Sequence, residues 1–230
     1  MKITNTLKIL SLTTIMTAGA TGIKKVNANE TFASNTLQTE RTDTFKRIVS
    51  PEGTDDISVL SNAPSPNIVI AGKNKKAAIV VDVDNHTLYH YDKNGKPLKA
   101  YLVATGRKGT KRADGKILTH GTPTEEGISV VSHIEKYPYR TAPRNTKRRQ
   151  TPGAFGRRAL ILLKVNPKTG ETSSTGQFVH GNGDKSSLGK SVSHACIRMD
   201  NDVVEKEIAP NIERGMYVVF INSSPYEIVK

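Results

Sequence analysis

Apolar positions along the chain fall into short runs, most of them β-branched or alternating with polar residues, and turn residues separate them. Residues 77–83 (AAIVVDV) form one such run, and residues 86–91 (HTLYHY) alternate. Asp84-Asn85 lies between them, so the two runs predict a β-hairpin. Asn94-Gly95 is a second turn signal, followed by a predicted strand over 98–105. Further strands are predicted over 127–134, 159–165, 177–180 and 216–221, with a turn at 166–170 (NPKTG). One short helix is predicted over 200–208, where Asp200, Asn201 or Asp202 can cap the start and Pro210 can stop the end. Many short strands with one or two short helices predict a mainly β domain, a sandwich or mixed sheet. There is no internal repeat.

The ends of the chain read differently. Residues 1–28 have a basic start without acids, a mildly apolar stretch over 9–23, and Val26-Asn27-Ala28 in the small-x-small pattern of a cleavage site. This predicts a cleaved export signal with Asn29 as the mature N-terminus. Residues 29–66 are rich in Thr, Ser, Asn, Asp and Pro and sustain no period, which predicts a flexible tether ahead of a domain over 67–230. Inside the domain, residues 106–126 and 135–158 are long polar or basic segments, read as lids or solvated insertions. The second carries Arg144, Lys147, Arg148, Arg149, Arg157 and Arg158, and the hypothesis for it is that it holds acidic wall polymer or a substrate carboxylate.

Composition adds two constraints. The formal charge is +13, and the leader carries four lysines and no acids, so the mature chain keeps +9. For an exported protein that charge suggests an anionic wall polymer as a partner. No nucleic-acid-binding motif appears, so nucleic acid is not expected. The chain has one Cys, which excludes an internal disulfide. A free thiol outside the cell is either buried and inert or chemically used.

The residues around that thiol decide between these. Phe178-Val179-His180-Gly181 is followed by Ser187-Leu188-Gly189 and then Ser193-His194-Ala195-Cys196-Ile197-Arg198-Met199. A thiol needs a nearby base or positive charge to become a nucleophile, and two histidines lie within 16 residues upstream of Cys196. Small Ser193 and Ala195 let a substrate carbonyl approach backbone N–H groups that can hold an oxyanion. In an extended segment Arg198 points to the same face as Cys196 and can take a carboxylate. Zinc binding by His180, His194 and Cys196 lacks a compact ligand pair and a fourth ligand, so no metal is expected. His86, His90, His120 and His133 are read as ordinary strand or loop residues.

This array, H-G-x6-L-G-x3-S-H-A-C-I-R-M, resembles the signature of the L,D-transpeptidase catalytic domain family. The likeness extends over about residues 75–222: the hairpin over 78–91, Val103-Ala104-Thr105-Gly106, Thr122-Pro123-Thr124 and Phe155-Gly156 each have a counterpart in that family's pattern. The chain departs from the pattern at Ala195, where the family has Gly, and at Glu125-Glu126-Gly127, where Gly would follow the Thr-Pro-Thr directly. The resemblance implies a β-rich fold, Cys196 as nucleophile, His180 as its base, and the Gly181 carbonyl as the group that orients the imidazole. It further implies that His194 lines the oxyanion site with the N–H groups of Ala195 and Cys196. Arg198 would position substrate, and Ser193 would shape the loop. The implied substrates are peptidoglycan stem peptides, a donor tetrapeptide and an acceptor amine, joined into 3→3 cross-links without a cofactor. A carbapenem is the implied covalent inhibitor. An L,D-carboxypeptidase, a transpeptidase that anchors proteins to the wall, and a non-catalytic wall-binding module are the competing readings. The catalytic reading expects the Cys196 sulfur to stand beside an imidazole as a thiolate.

Overall fold

The computed structural model describes residues 49–141, 144–145 and 152–229. The expected leader, the first part of the expected tether, and Lys147, Arg148 and Arg149 lie outside the described residues.

Strand β1 (Asn67–Ile70) turns back into β2 (Lys73–Asp82); β3 (Thr87–Tyr91) pairs antiparallel with β2, and β4 (Pro97–Leu102) antiparallel with β3. The predicted hairpin over 77–91 is therefore present. Its first strand reads as an unbroken apolar run because both its faces are covered. Ile79 and Val81 enter one hydrophobic cluster with Leu160, Leu162, Val179 and Met199. Ala77 and Val80 enter a second cluster on the other face with Tyr89 and Tyr91.

The remaining strands of this sheet are β8 (Gly127–Lys136), β9 (Arg158–Val165), β10 (Thr172–Asn182), β12 (Ile197–Asp200) and β13 (Tyr217–Ile221). Their order is β12-β10-β9-β8-β13-β2-β3-β4. Pairing is parallel between β10 and β12 and between β13 and β2, and antiparallel elsewhere. The mainly β, mixed-sheet expectation agrees with this architecture. The helical segment after β12 starts at Asn201, where the Asp200 carboxylate accepts from the N–H groups of Asp202 (2.8 Å) and Val203 (3.3 Å). It widens into a π-type turn over Val204–Ile208 and buries Val203, Val204 and Ile208 against the sheet.

Three expectations need correction. Residues 49–66 are not a free tether, because they lie against β4 and β3. Leu102 donates to the Ser50 carbonyl, Thr54 and Ala100 exchange two backbone hydrogen bonds, and Tyr91 donates to the Pro64 carbonyl. Val59, on a short helix over Ile57–Leu60 capped by Asp56, is 1% exposed in the second cluster. The apolar positions here are too few to make a period, so the sequence pattern hides the packing. Residues 106–126 are not simply a solvated insertion between strands. They form β6 (Gly109–Arg112) and β7 (Ile117–Thr119), which join β14 (Tyr226–Val229) in a three-stranded sheet. This sheet is held by backbone pairing and a Thr110–Thr119 hydroxyl contact of 2.8 Å rather than by alternating apolar residues. Within 135–158, Arg157 pairs with Asp202 and Glu205, and Arg158 with Glu205, so these two arginines brace the helical segment instead of facing a polymer.

The packing of residues 49–66 predicts a measurable cost. Val59→Ala removes two buried carbons from beside Tyr89 and Tyr91 and lowers unfolding free energy by about 2 kcal/mol. Urea denaturation of the two proteins measures this. Equal midpoints would mean that the segment contributes no packing.

Candidate active site

β10 carries His180 and Gly181 near its end, and β12 begins one residue after Cys196. Parallel pairing sets Val179 opposite Ile197 and His180 opposite Arg198. The result is a cleft of about 310 Å³ whose walls include Phe155, Phe178, His180, His194, Cys196 and Arg198, with Ser193 at its base. The predicted site residues are thereby brought together, and His86, His90, His120 and His133 are not among the cleft's lining residues. Among the described residues, no group of three or more His, Cys, Asp or Glu side chains is arranged to hold a metal.

The His180 imidazole is 2% exposed, and its Nδ1–H donates to the Gly181 carbonyl at 2.8 Å. That bond selects the tautomer and leaves Nε2 as an acceptor. The Phe155 ring lies 4.8 Å from the imidazole, centroid to centroid. Burial pushes the His180 pKa down to about 4, opposed by the Gly181 carbonyl and helped by the Arg198 guanidinium. The imidazole is neutral at neutral pH. Gly181 has to be glycine: a Cβ there would lie 2.3 Å from Asn201 Oδ1. Gly156 presses on the same carbonyl, with its own Cβ position 2.6 Å from Gly181 O. The carbonyl bonded to His180 is thus closely packed, by the Gly156 backbone on one side and the Asn201 side chain on the other.

Cys196 is 8% exposed, and its thiol points to the Gly176 carbonyl at 3.8 Å. Burial pushes the thiol pKa up; the Phe178 backbone N–H and the Arg198 guanidinium pull it down but do not prevail. The resting pair is therefore a neutral thiol and a neutral imidazole, which corrects the expectation of a ready-made thiolate. The physical reason is desolvation: one guanidinium does not offset the loss of water around the charged form.

The loop ahead of Cys196 is tightly held. Ala195 has φ +75°, the left-handed region that an L-residue with a Cβ avoids. Ser193, 1% exposed, donates to the Cys196 carbonyl at 2.5 Å and closes the turn. Arg107 N–H and the Thr122 hydroxyl both donate to the Ser193 carbonyl, at 2.9 and 3.2 Å. Thr124 is fully buried; its hydroxyl donates to the Ala195 carbonyl at 2.8 Å and accepts from Gly106 N–H at 2.9 Å. The Thr-Pro-Thr turn is visible in the sequence, but its role is not, because Thr124 lies 71 residues from the carbonyl it holds. His194 is exposed at the rim of the cleft. Arg198 is half-buried, and among the described residues no carboxylate forms an ion pair with it.

A family model for the L,D-transpeptidase catalytic domain matches residues 76–221. No curated protein matches the sequence. Among solved structures, the chain is similar to a Bdellovibrio bacteriovorus protein at 20% identity and TM-score 0.44, covering 70% of this chain and 54% of that one. The catalytic domain of an Enterococcus faecium L,D-transpeptidase matches at 19% identity and TM-score 0.38, covering 64% of this chain and 98% of that one. An L,D-transpeptidase from Xylanimonas cellulosilytica matches at 15% identity and TM-score 0.40, covering 69% and 64% respectively. The chain thus spans about half the length of the first of these structures.

Two outcomes follow from this geometry. Between pH 6.5 and about 4 the unfolded imidazole of residue 180 takes up a proton that the buried one refuses, so folding stability falls as pH falls. The loss reaches about 3 kcal/mol below pH 4, and His180→Gln should flatten that part of a stability-versus-pH curve. An unchanged slope would mean that the ring is not buried neutral. Ala195→Gly relieves the left-handed backbone at the cost of a more flexible unfolded chain, and should raise stability by about 0.5–1 kcal/mol in urea titrations. A loss of stability would contradict a strained Ala195.

Proposed function

The chain belongs to the L,D-transpeptidase catalytic domain family, and from that premise we propose that it is an exported cysteine acyl-transferase acting on peptidoglycan stem peptides through Cys196. The observation that carries this reading is the shared cleft of Cys196 and His180, with the imidazole's Nε2 left free by the Gly181 bond.

The donor stem enters with the carbonyl of its third residue beside Cys196. Nε2 of His180 takes the thiol proton as sulfur attacks, so no resting thiolate is required. The developing oxyanion is received by the backbone N–H groups of Ala195 and Cys196, with His194 beside them. The C–N bond to the terminal D-Ala breaks, and that nitrogen leaves with the proton held by His180. A thioester on Cys196 remains. An acceptor amine from a second stem attacks it, gives a proton to His180, and releases the 3→3 cross-linked product as the thiol is restored. Arg198, with no described carboxylate paired to it, receives a carboxylate of the donor. The +9 charge of the mature chain favours an anionic wall setting, and residues 1–28 carry the export reading.

Mass spectrometry of the protein with donor tetrapeptide and acceptor stem tests the proposal. The expected result is a thioester on Cys196 and a cross-linked dimer, neither of them seen with Cys196→Ala. His180→Ala should slow acylation by about 10²–10⁴-fold. A free tripeptide without dimer would assign water as the acceptor and make the enzyme a carboxypeptidase. No adduct with tetrapeptide or with a carbapenem would leave a wall-binding module.

A further inference from the structure

Away from the cleft, the start of β2 carries Lys73, Lys75 and Lys76, all exposed. The β3–β4 turn beside it carries exposed Lys93 and Lys96. Two adjoining concave surfaces, of about 750 and 460 Å³, share Lys76 and Lys93 as a common wall. Ile68 and Val69 line the first, with Val69 54% exposed; Leu98, 44% exposed, and Met216 line the second. Among the described residues none of the five lysines is paired with a carboxylate. The one carboxylate lining the second groove, Asp92, accepts from the backbone N–H groups of Asn94 and Lys96, at 2.8 Å each, and lies within the field of the Lys96 ammonium. The Lys76 ammonium donates to the Asn94 carbonyl, which ties β2 to the lysine-bearing β3–β4 turn.

We propose that this double groove is a second binding site, for a linear polyanion with phosphodiesters along a polyol or sugar backbone. Like charges crowded into one region without ion-pair partners destabilise the chain unless a counter-charge is met there. Lys75, Lys76 and Lys93 line the grooves, and Lys73 and Lys96 lie on the same strand and turn outside the linings. The cations are all lysine, which suits phosphate as a point charge; the planar fork of arginine, the better match for a carboxylate, is absent from both linings. Apolar side chains in the grooves give the carbon backbone of such a polymer a surface to lie on. Anionic membrane would favour a convex face instead of two slots. Strands β13, β8 and β9 separate β2 from β10, so polymer bound here leaves the cleft open for stem peptides. The site would hold the enzyme at the wall while its cleft works.

Binding of the full chain to a synthetic glycerol-phosphate oligomer tests this, with polyglutamate and vesicles of anionic phospholipid as the other arms. It requires no turnover, so it succeeds or fails independently of the chemistry at Cys196. The expected result is binding to the phosphate oligomer over the other two, weakening as salt rises. Lys75→Glu/Lys93→Glu should reduce it at least tenfold. Both residues are exposed, so the variant should keep the parent unfolding midpoint, and the charge-neutral Lys75→Gln/Lys93→Gln should give an intermediate loss. No binding by the parent chain, equal binding by the charge-reversed variant, or preference for vesicles or polyglutamate would each overturn the proposal.

Discussion

Parallel pairing of β10 with β12 is the constraint on which the site depends. Residues 180 and 196 are 16 positions apart in the chain, and neither is placed by its own neighbours. One ladder, with His180 opposite Arg198, puts the imidazole near the end of one strand and the thiol just ahead of the next. A two-residue slip would carry the imidazole along the strand and away from the thiol. The register is held from below by Val179, Ile197 and Met199, all completely buried in the main cluster. The core packing and the active-site alignment are therefore the same interaction seen from two faces of the sheet.

A second constraint acts through the backbone. Gly181 and Gly156 allow chain segments to touch where any side chain would intrude, and this fixes the carbonyl that orients His180. On the other side of the cleft, Ala195 takes up a conformation its Cβ disfavours. The hydroxyls of Thr122, Thr124 and Ser193 hold the loop there by donating to the carbonyls of Ser193, Ala195 and Cys196. Strain of this kind persists only where the surroundings over-determine the backbone. Burial then settles the electrostatics. It keeps the thiol and the imidazole neutral together.

Charge is distributed by location rather than evenly. Arg157 and Arg158 are consumed in bracing the helical segment through Glu205 and Asp202. Arg198 is kept for the cleft, and the lysines of β2 and the following turn are left facing solvent. The same residue types thus brace the fold, line the cleft or face solvent, depending on whether a carboxylate has been folded against them.

The amino-acid pattern alone determined the β-rich class, the hairpin over 77–91, the capped turn after Asp200 and the candidate residues that the cleft brings together. Each of these rests on local chemistry: β-branched runs, turn residues, a carboxylate beside free N–H groups, and a thiol near two imidazoles. Only the tertiary structure decided that residues 49–66 pack on β3 and β4, that 106–126 pair with the C-terminal strand, and that Thr124 grips the loop at Ala195. It also decided that the sulfur rests as a thiol. Those outcomes depend on contacts between distant segments and on how much water is excluded around a group. Neither quantity is written in the order of the residues, because both arise only when the sheet has closed.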